Sequence, residues 1–335
     1  MKFAYEIQDK TVIIRRCFGY GDEIEIPGSL AGYPVTELAP YIFSEHFREE
    51  ELKEGIEAGR VFFFGEDGGR VLCGSRLRKV SLPPALQKIG AYAFYNCSNL
   101  EELSFYGGLE DLGAGLFTGC HRVKQLRLAL GHTGTSCLQE MLMELNEELR
   151  LTLCGENQEA RLVFPEFYEE GVENTPARIL MTQMHGSGMH YRNCFYQKKF
   201  DFHAYDGCFF RARAQEREVL VLELAVSRLR FPMGLGTEEK AVYEGWLREH
   251  LPEAGRQAAE HRDMELLRWL VGGFLFGKEA SGEKKYAGEK QSQEKKELLR
   301  HMLGQAAERG FAEGSAFLLD VLHQRFPAGE ERFEF

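Results

Sequence analysis

The sequence predicts an α/β repeat in the form of a short solenoid, with a parallel sheet of very short strands, followed by an all-α domain. Three observations carry this. A displacement of 23 residues aligns Ile89 with Leu112, Phe94 with Phe117, Cys97 with Cys120 and Leu100 with Val123. The same displacement carries Val80 to Leu103, Leu126 and Leu149, and Leu82 to Phe105, Leu128 and Leu151. Beyond about residue 166 the register is lost, and large apolar residues fall at spacings of three and four, the period of a helix.

Each copy has one order: an alternating segment (KVSLP, ELSFY, QLRLA, ELRLT), a turn, then an apolar stretch that in two copies ends in AFYNC or LFTGC. Alternation at period two is a half-buried strand, and strands of about four or five residues do not stand alone. Stacking one per turn gives each backbone donor and acceptor a neighbour and buries the Leu and Phe columns in one core.

The segments IPGSLAGYPVTELAPYIFS (26–44) and LRKVSLPPALQKIGAYAFYNCSNLEEL (77–103) resemble the BspA-type leucine-rich repeat, most specifically over 77–130. The resemblance covers about 11–153. It implies a unit made of a Leu-Pro strand end, a small polar turn, Ile-Gly, then Ala-Phe and a structural Cys, so Cys97 and Cys120 are expected in one small buried slot of successive turns. It also implies an entry hairpin, TVIIRRCFGYGDEIEIP, followed by GYPVTEL.

Phe43 and Phe94 are 51 residues apart, which places an insertion at about 47–75. Within it, FREEELKEGIEAG reads as an acidic helix and RVFFFGEDGGRVLC as a hairpin turning at Asp67-Gly68-Gly69. In the fourth copy Glu140 stands where Phe94 and Phe117 stood, and CLQEMLMELNEEL reads as an amphipathic helix. The segment RLVFPEF (161–167) would be a last strand, and the exposed end near 150–165 would be capped by the helical part or by a second copy.

A repeat domain is therefore expected at 1–165 and a helical domain at 166–335. In the latter, 216–231, 237–251 and 263–276 read as helices, with Thr237 followed by Glu238 and Glu239 at a helix start. Residues 278–296 mix Lys, Glu, Gly and Ser with almost no core former and read as a mobile loop. A closing helix pair, with Gly310 as a helix C-terminal residue, weakly resembles ankyrin-like arrays.

Hydrophobic residues make up 44% and charged residues 28%, the balance of a globular protein, and the net charge of −11 opposes non-specific binding to nucleic acid. The amino terminus lacks the apolar run of a signal segment, and no apolar window reaches membrane-spanning length. A cytoplasmic protein without membrane contact is expected, its eight cysteines, none in a CxxC pair, being reduced thiols. FGEDGGR lacks the Gly-Lys-Ser/Thr of a P-loop, GLGTEEK lacks the strand a dinucleotide site needs, and GxSxG and HExxH are missing. No cofactor, metal or catalytic residue is expected. The alternative is an enzyme with a Cys/His site in 181–208, where His185, His190, Cys194, His203 and Cys208 gather without any recognised zinc spacing.

The side chains that alternate with the core columns form a surface. They fall in columns Lys79, Glu102, Gln125, Glu148; Ser81, Ser104, Arg127, Arg150; and Pro83, Tyr106, Ala129, Thr152. Lys79, Ser81, Glu102, Ser104, Tyr106, Gln125, Arg127, Glu148 and Arg150 are the expected partner-binding residues, because the sheet face is the usual binding surface of a solenoid. The expected function is a non-enzymatic scaffold for a protein or peptide partner. The resemblance itself implies a further alternative, adhesion at the cell surface.

Overall fold

The computed structural model describes residues 1–66, 68–132, 134–174, 179–277 and 289–327. The chain divides into two compact units, Met1–Glu239 and Lys240–Phe335.

The first unit opens with β1 (Lys2–Gln8) and β2 (Thr11–Gly19), antiparallel across a two-residue turn. Asp9 and Lys10 in that turn have φ of 49° and 61°, the left-handed pair that matches strand twist. The entry hairpin is thus built one strand earlier than expected. The strand β3 (Glu23–Glu25) does not fold back on β2; it pairs in parallel with a strand of the repeat.

After β4 (Ser29–Leu30) and β5 (Tyr33–Leu38) comes the insertion, which holds the expected acidic helix, α1 (Glu49–Glu57). The expected hairpin does not form. Its strands β6 (Val61–Gly65) and β7 (Arg70–Val71) pair with β1 and β2 respectively, because the first hairpin leaves those edges open. Of the proposed turn, Asp67 lies outside the described residues, while Gly69 lies so close to β2 that a Cβ would meet the Gly19 nitrogen at 2.7 Å.

The repeats contribute strands in pairs: β8 (Lys79–Ser81) with β9 (Lys88–Ile89), then β10 (Glu102–Tyr106) with β11 (Asp111–Leu112), then β12 (Gln125–Ala129) alone. One sheet runs in the order β3-β8-β10-β12 with every pair parallel, and the other extends β5 in parallel through β9 to β11. Between them the Ala-Phe turns stack through main-chain bonds, Phe43 N–H to the Ala93 oxygen at 2.9 Å and Phe94 N–H to the Leu116 oxygen at 3.2 Å. The rings of Phe43, Phe94 and Phe117 lie in one column with centroids 5.1 and 5.7 Å apart. Cys97 and Cys120 fill the expected slot, each thiol donating to a carbonyl one turn back, of Phe43 at 3.3 Å and of Phe94 at 3.0 Å.

The helix expected in the fourth copy is α2 (Leu138–Glu144), which buries Leu138, Met141 and Leu142. It changes the register. The strand β13 (Leu149–Cys154) pairs in parallel with β12, but Leu126 meets Leu151 and not Leu149, since the connection through α2 is two residues longer than the period. The predicted last strand is β14 (Glu159–Phe164), antiparallel to β13, which ends the parallel series.

The expected boundary near 165 falls inside the first unit. Residues 166–239 open with an antiparallel hairpin, β15 (Tyr168–Asn174) and β16 (Ile179–His185), where helical periodicity was expected. Then follow α3 (Gly188–Arg192), the short pair β17 (Phe195–Tyr196) and β18 (Lys199–Phe200), α4 (Phe202–Gly207), α5 (Phe209–Gln215) and α6 (Glu218–Arg230). These elements are held to the repeat by buried polar anchors. Arg192, wholly buried, donates to the carbonyls of Leu142, Leu145, Glu147, Pro165 and Gly188, satisfying the end of α2, and burial lowers its pKa to about 10. Within the added elements themselves, Arg228 of α6 makes a buried two-point pair with Asp206 of α4, at 2.7 and 2.8 Å.

The second unit is helical: most of α7 (Thr237–Glu249), α8 (Leu251–Glu260), α9 (Met264–Arg268) running on as a π-helical stretch over Trp269–Leu275, α10 (Glu289–Glu308) and α11 (Ala312–Arg325). Thr237 begins α7 as expected, and Gly310, at φ 64°, separates α10 from α11. Of the loop expected at 278–296, residues 278–288 lie outside the described residues, and 289–296 form the first turns of α10.

Candidate functional site

The expected binding face is the outer face of the sheet β3-β8-β10-β12-β13-β14. Alternation brings Lys79, Ser81, Glu102, Ser104, Tyr106, Gln125 and Arg127 to this face, because Val80, Leu103, Phe105, Leu126 and Leu128 all turn into the core. The columns hold through β12: Glu102 lies between Lys79 and Gln125, and Ser104 between Ser81 and Arg127. At β13 they slip by two residues, so Arg150 follows Gln125 and Thr152 follows Arg127.

The face is not a row of free charges. Lys79 and Glu102 pair at 2.9 Å, and this bond raises the lysine pKa above its ordinary value. Beside them Arg78 binds Asp22 at 2.8 Å and also pairs with Glu23 of β3. Tyr106 is 38% exposed, and Gln125 and Arg127 are exposed.

Glu148 and Arg150 stand apart from the other seven. Arg150 makes a two-point bond to Glu223 of α6, at 2.9 and 2.7 Å, and also contacts Glu148 at 2.6 Å. Glu148 in turn accepts from Arg217 at 3.0 Å. Those carboxylates hold the Arg150 pKa above its ordinary value. Helix α6 therefore closes the face over its last parallel strand, and Val163, which sits opposite Arg150 on β14, is buried. The far edge of β14 is closed as well. The Tyr205 hydroxyl donates to the Val163 carbonyl at 2.7 Å and accepts from its N–H at 2.9 Å. The predicted cap at 150–165 is thus supplied from within the chain.

A second surface was not read from the sequence. Tyr41 and Tyr92 stack at 5.3 Å, Tyr95 meets Tyr92 edge-on at 5.7 Å and His46 at 5.1 Å, and with Arg48 and Thr118 they line an open cleft of about 560 Å³. The signal was present: the 51-residue offset that aligns Phe43 with Phe94 also aligns Tyr41 with Tyr92.

The region 181–208 brings its cysteines together and not its histidines. The sulfurs of Cys194 and Cys208 are 3.8 Å apart, and all eight cysteines of the chain are free thiols. The bond from Cys194 and the nearby Arg211 charge lower the Cys208 pKa, while the same shared bond and burial raise that of Cys194. His185 pairs with Glu170 at 2.9 Å and stacks on Tyr168, and His203 pairs with Glu239 at 2.7 Å. Cys194 meets His190 only through the main chain, donating to its carbonyl at 3.2 Å. A thiol nucleophile needs an imidazole held against the sulfur, and here a ring nitrogen of His185 meets Glu170 and one of His203 meets Glu239. Among the described residues no three His, Cys, Asp or Glu side chains gather as a metal site would require, and no helix is long and apolar enough to cross a membrane.

Comparison with known proteins meets this geometry at the repeats. Two solved structures are similar, each at 18% identity and a TM-score of 0.21. One is a leucine rich cell surface protein from Faecalibacterium prausnitzii A2-165, where the match covers 45% of this chain and 27% of that one. The other is a leucine rich repeat protein from T. pallidum, where it covers 46% of this chain and 80% of that one. This chain thus spans about a quarter of the length of the first. No curated protein matches. The sequence model of the "BspA type Leucine rich repeat region (6 copies)" matches residues 69–146, the segment that supplies β8 to β12 and α2, so that this part of the chain is a BspA-type leucine-rich repeat region.

Proposed function

We propose that this chain is a non-catalytic scaffold whose repeats form a short solenoid, and that the part of its sheet face left open by α6 receives a protein or peptide partner. The observation that carries the reading is the contrast along one face. Helix α6 covers it at Glu148 and Arg150, whereas Tyr106, Gln125 and Arg127 remain exposed on the preceding strands. A polar face of mixed charge around one exposed tyrosine suits a transient protein contact, in which an aromatic or arginine anchor supplies much of the energy. A cytoplasmic location belongs to this proposal. Leucine-rich repeats of this type equally support the coarser alternative of surface adhesion.

The test uses the full chain as bait beside a variant carrying Tyr106→Ala and Arg127→Glu. Proteins held by the native chain should be lost from the variant and retained by a Tyr41→Ala control. Equal retention by all three would move the contact off the sheet face. Fractionation of the native cells separates the scaffold from the adhesion reading.

A further inference from the structure

We propose that β6 is a two-fold contact between two copies of this chain, pairing antiparallel with its own counterpart about Phe63. In the sheet order β11-β9-β5-β2-β1-β6 this strand is terminal, so among the described residues one of its edges is bonded to β1 and the other has no partner strand. An open edge presents unpaired N–H and C=O groups and is a template for another strand. The side chains on it do not deter pairing. Phe62, Phe63 and Phe64 are 46%, 43% and 54% exposed, three successive large apolar residues at one rim of the sheet.

The flanking sequence selects the occupant. Around the central residue the chain reads Arg60-Val61-Phe62-Phe63-Phe64-Gly65-Glu66. In a two-fold contact residue i meets j and j meets i. Antiparallel pairing centred on Phe63 sets Phe62 against Phe64 and brings the Arg60 end of each strand to the Glu66 end of the other, and each contact forms twice. Shifting the centre to Phe62 leaves Arg60 facing Phe64, and shifting it to Phe64 leaves Glu66 facing Phe62, so only one register matches both aromatics and charges. Phe62 and Phe64 share one face by alternation, and Arg60 and Glu66 lie just beyond the two ends of the strand. Phe63 lies on the other face, against Phe18 at 6.5 Å and beneath the Lys2 ammonium at 4.3 Å. Arg60 and Glu66 are exposed and have no ion-pair partner among the described residues.

Sedimentation of the full chain over a range of concentrations tests this. A dimer that dissociates on dilution is expected. Arg60→Glu and Glu66→Arg should each raise its dissociation constant on the order of tenfold, and the doubly reversed variant should recover native affinity, since the ion pair is then restored with opposite polarity. Phe63→Lys, which sets two ammonium groups against each other at the axis, should leave a monomer with a native circular dichroism spectrum. A native chain that stays monomeric throughout would overturn the proposal. So would a dimer indifferent to the single reversals, or a double reversal that fails to recover; both charge variants lie at exposed positions, so these outcomes do not depend on the fold of Phe63→Lys.

Discussion

Burial holds the protons of Cys120 and Cys137 on sulfur up to about pH 12, against an ordinary value of 9.0, and it raises Cys17 and Cys97 as well. In the unfolded chain these thiols ionise near their ordinary value. Their contribution to stability is therefore complete below pH 9 and is lost as pH rises from 9 toward 12, by about 1 kcal/mol per pH unit for each thiol. Urea midpoints at pH 8 and 10 should show the fall, and Cys120→Ala should show a shallower one. Cys208 belongs to the other class, with a lowered pKa and partial exposure. Iodoacetamide applied to the folded protein, followed by peptide mass spectrometry, should label it before Cys97 or Cys120. Tyr205 is decisive in a different way, since its hydroxyl serves both polar groups of Val163. Tyr205→Phe leaves a buried N–H and C=O unmet and should lower unfolding stability by about 2 kcal/mol, measurable by urea titration.

At the scale of elements, the stack depends on how closely successive turns approach. A Cβ on Gly113 would lie 2.1 Å from the Ala91 nitrogen, and one on Gly90 would lie 2.3 Å from the Pro40 nitrogen. These are the glycines of the Ile-Gly step, equivalent at the 23-residue period, and backbone cannot yield as a flexible side chain does. Gly113→Ala should cost about 3 kcal/mol in a thermal or urea melt. Glu223→Ala should cost about 1 kcal/mol, because Arg150 is partly exposed and water screens the pair. Much of this scale was legible in the sequence. The columns Val80-Leu103-Leu126 and Phe94-Phe117 gave strand, turn and core face, because each position repeats one local environment. The slip at Leu151 was not legible, since α2 replaced a turn and the leucines on both sides still alternated. Nor were the partners of β6 and β7. A tight turn sequence reports that the chain can reverse, whereas pairing is decided by which edges the rest of the sheet leaves open. The site was legible to the same extent: alternation named the outward residues, but the removal of Glu148 and Arg150 from the open face depends on a helix more than sixty residues away in the chain.

For the whole molecule, the boundary matters more than the count of domains. The anchors Arg192 and Tyr205 tie residues 166–239 to the end of the repeat, Arg228 holds α6 to α4 within that stretch, and the first compact unit extends to Glu239. A fragment 1–239 should melt cooperatively. A fragment 1–165 should bind a dye for exposed apolar surface and melt at lower temperature, since it bares Val163 and Phe164, both buried in the intact chain.

The closure of β14 by Tyr205 also bears on how such a chain can grow. Tandem arrays lengthen by copying a unit, and a copy appended after the last strand needs an open edge to land on. Here that edge is taken by a side chain from α4, and the strand before it already runs against its neighbour. A unit cannot be appended there, but one can enter in the interior. A copy of residues 84–106 inserted after Tyr106 would leave both ends undisturbed and add one more row of outward side chains, which makes the length of the face heritable independently of its cap.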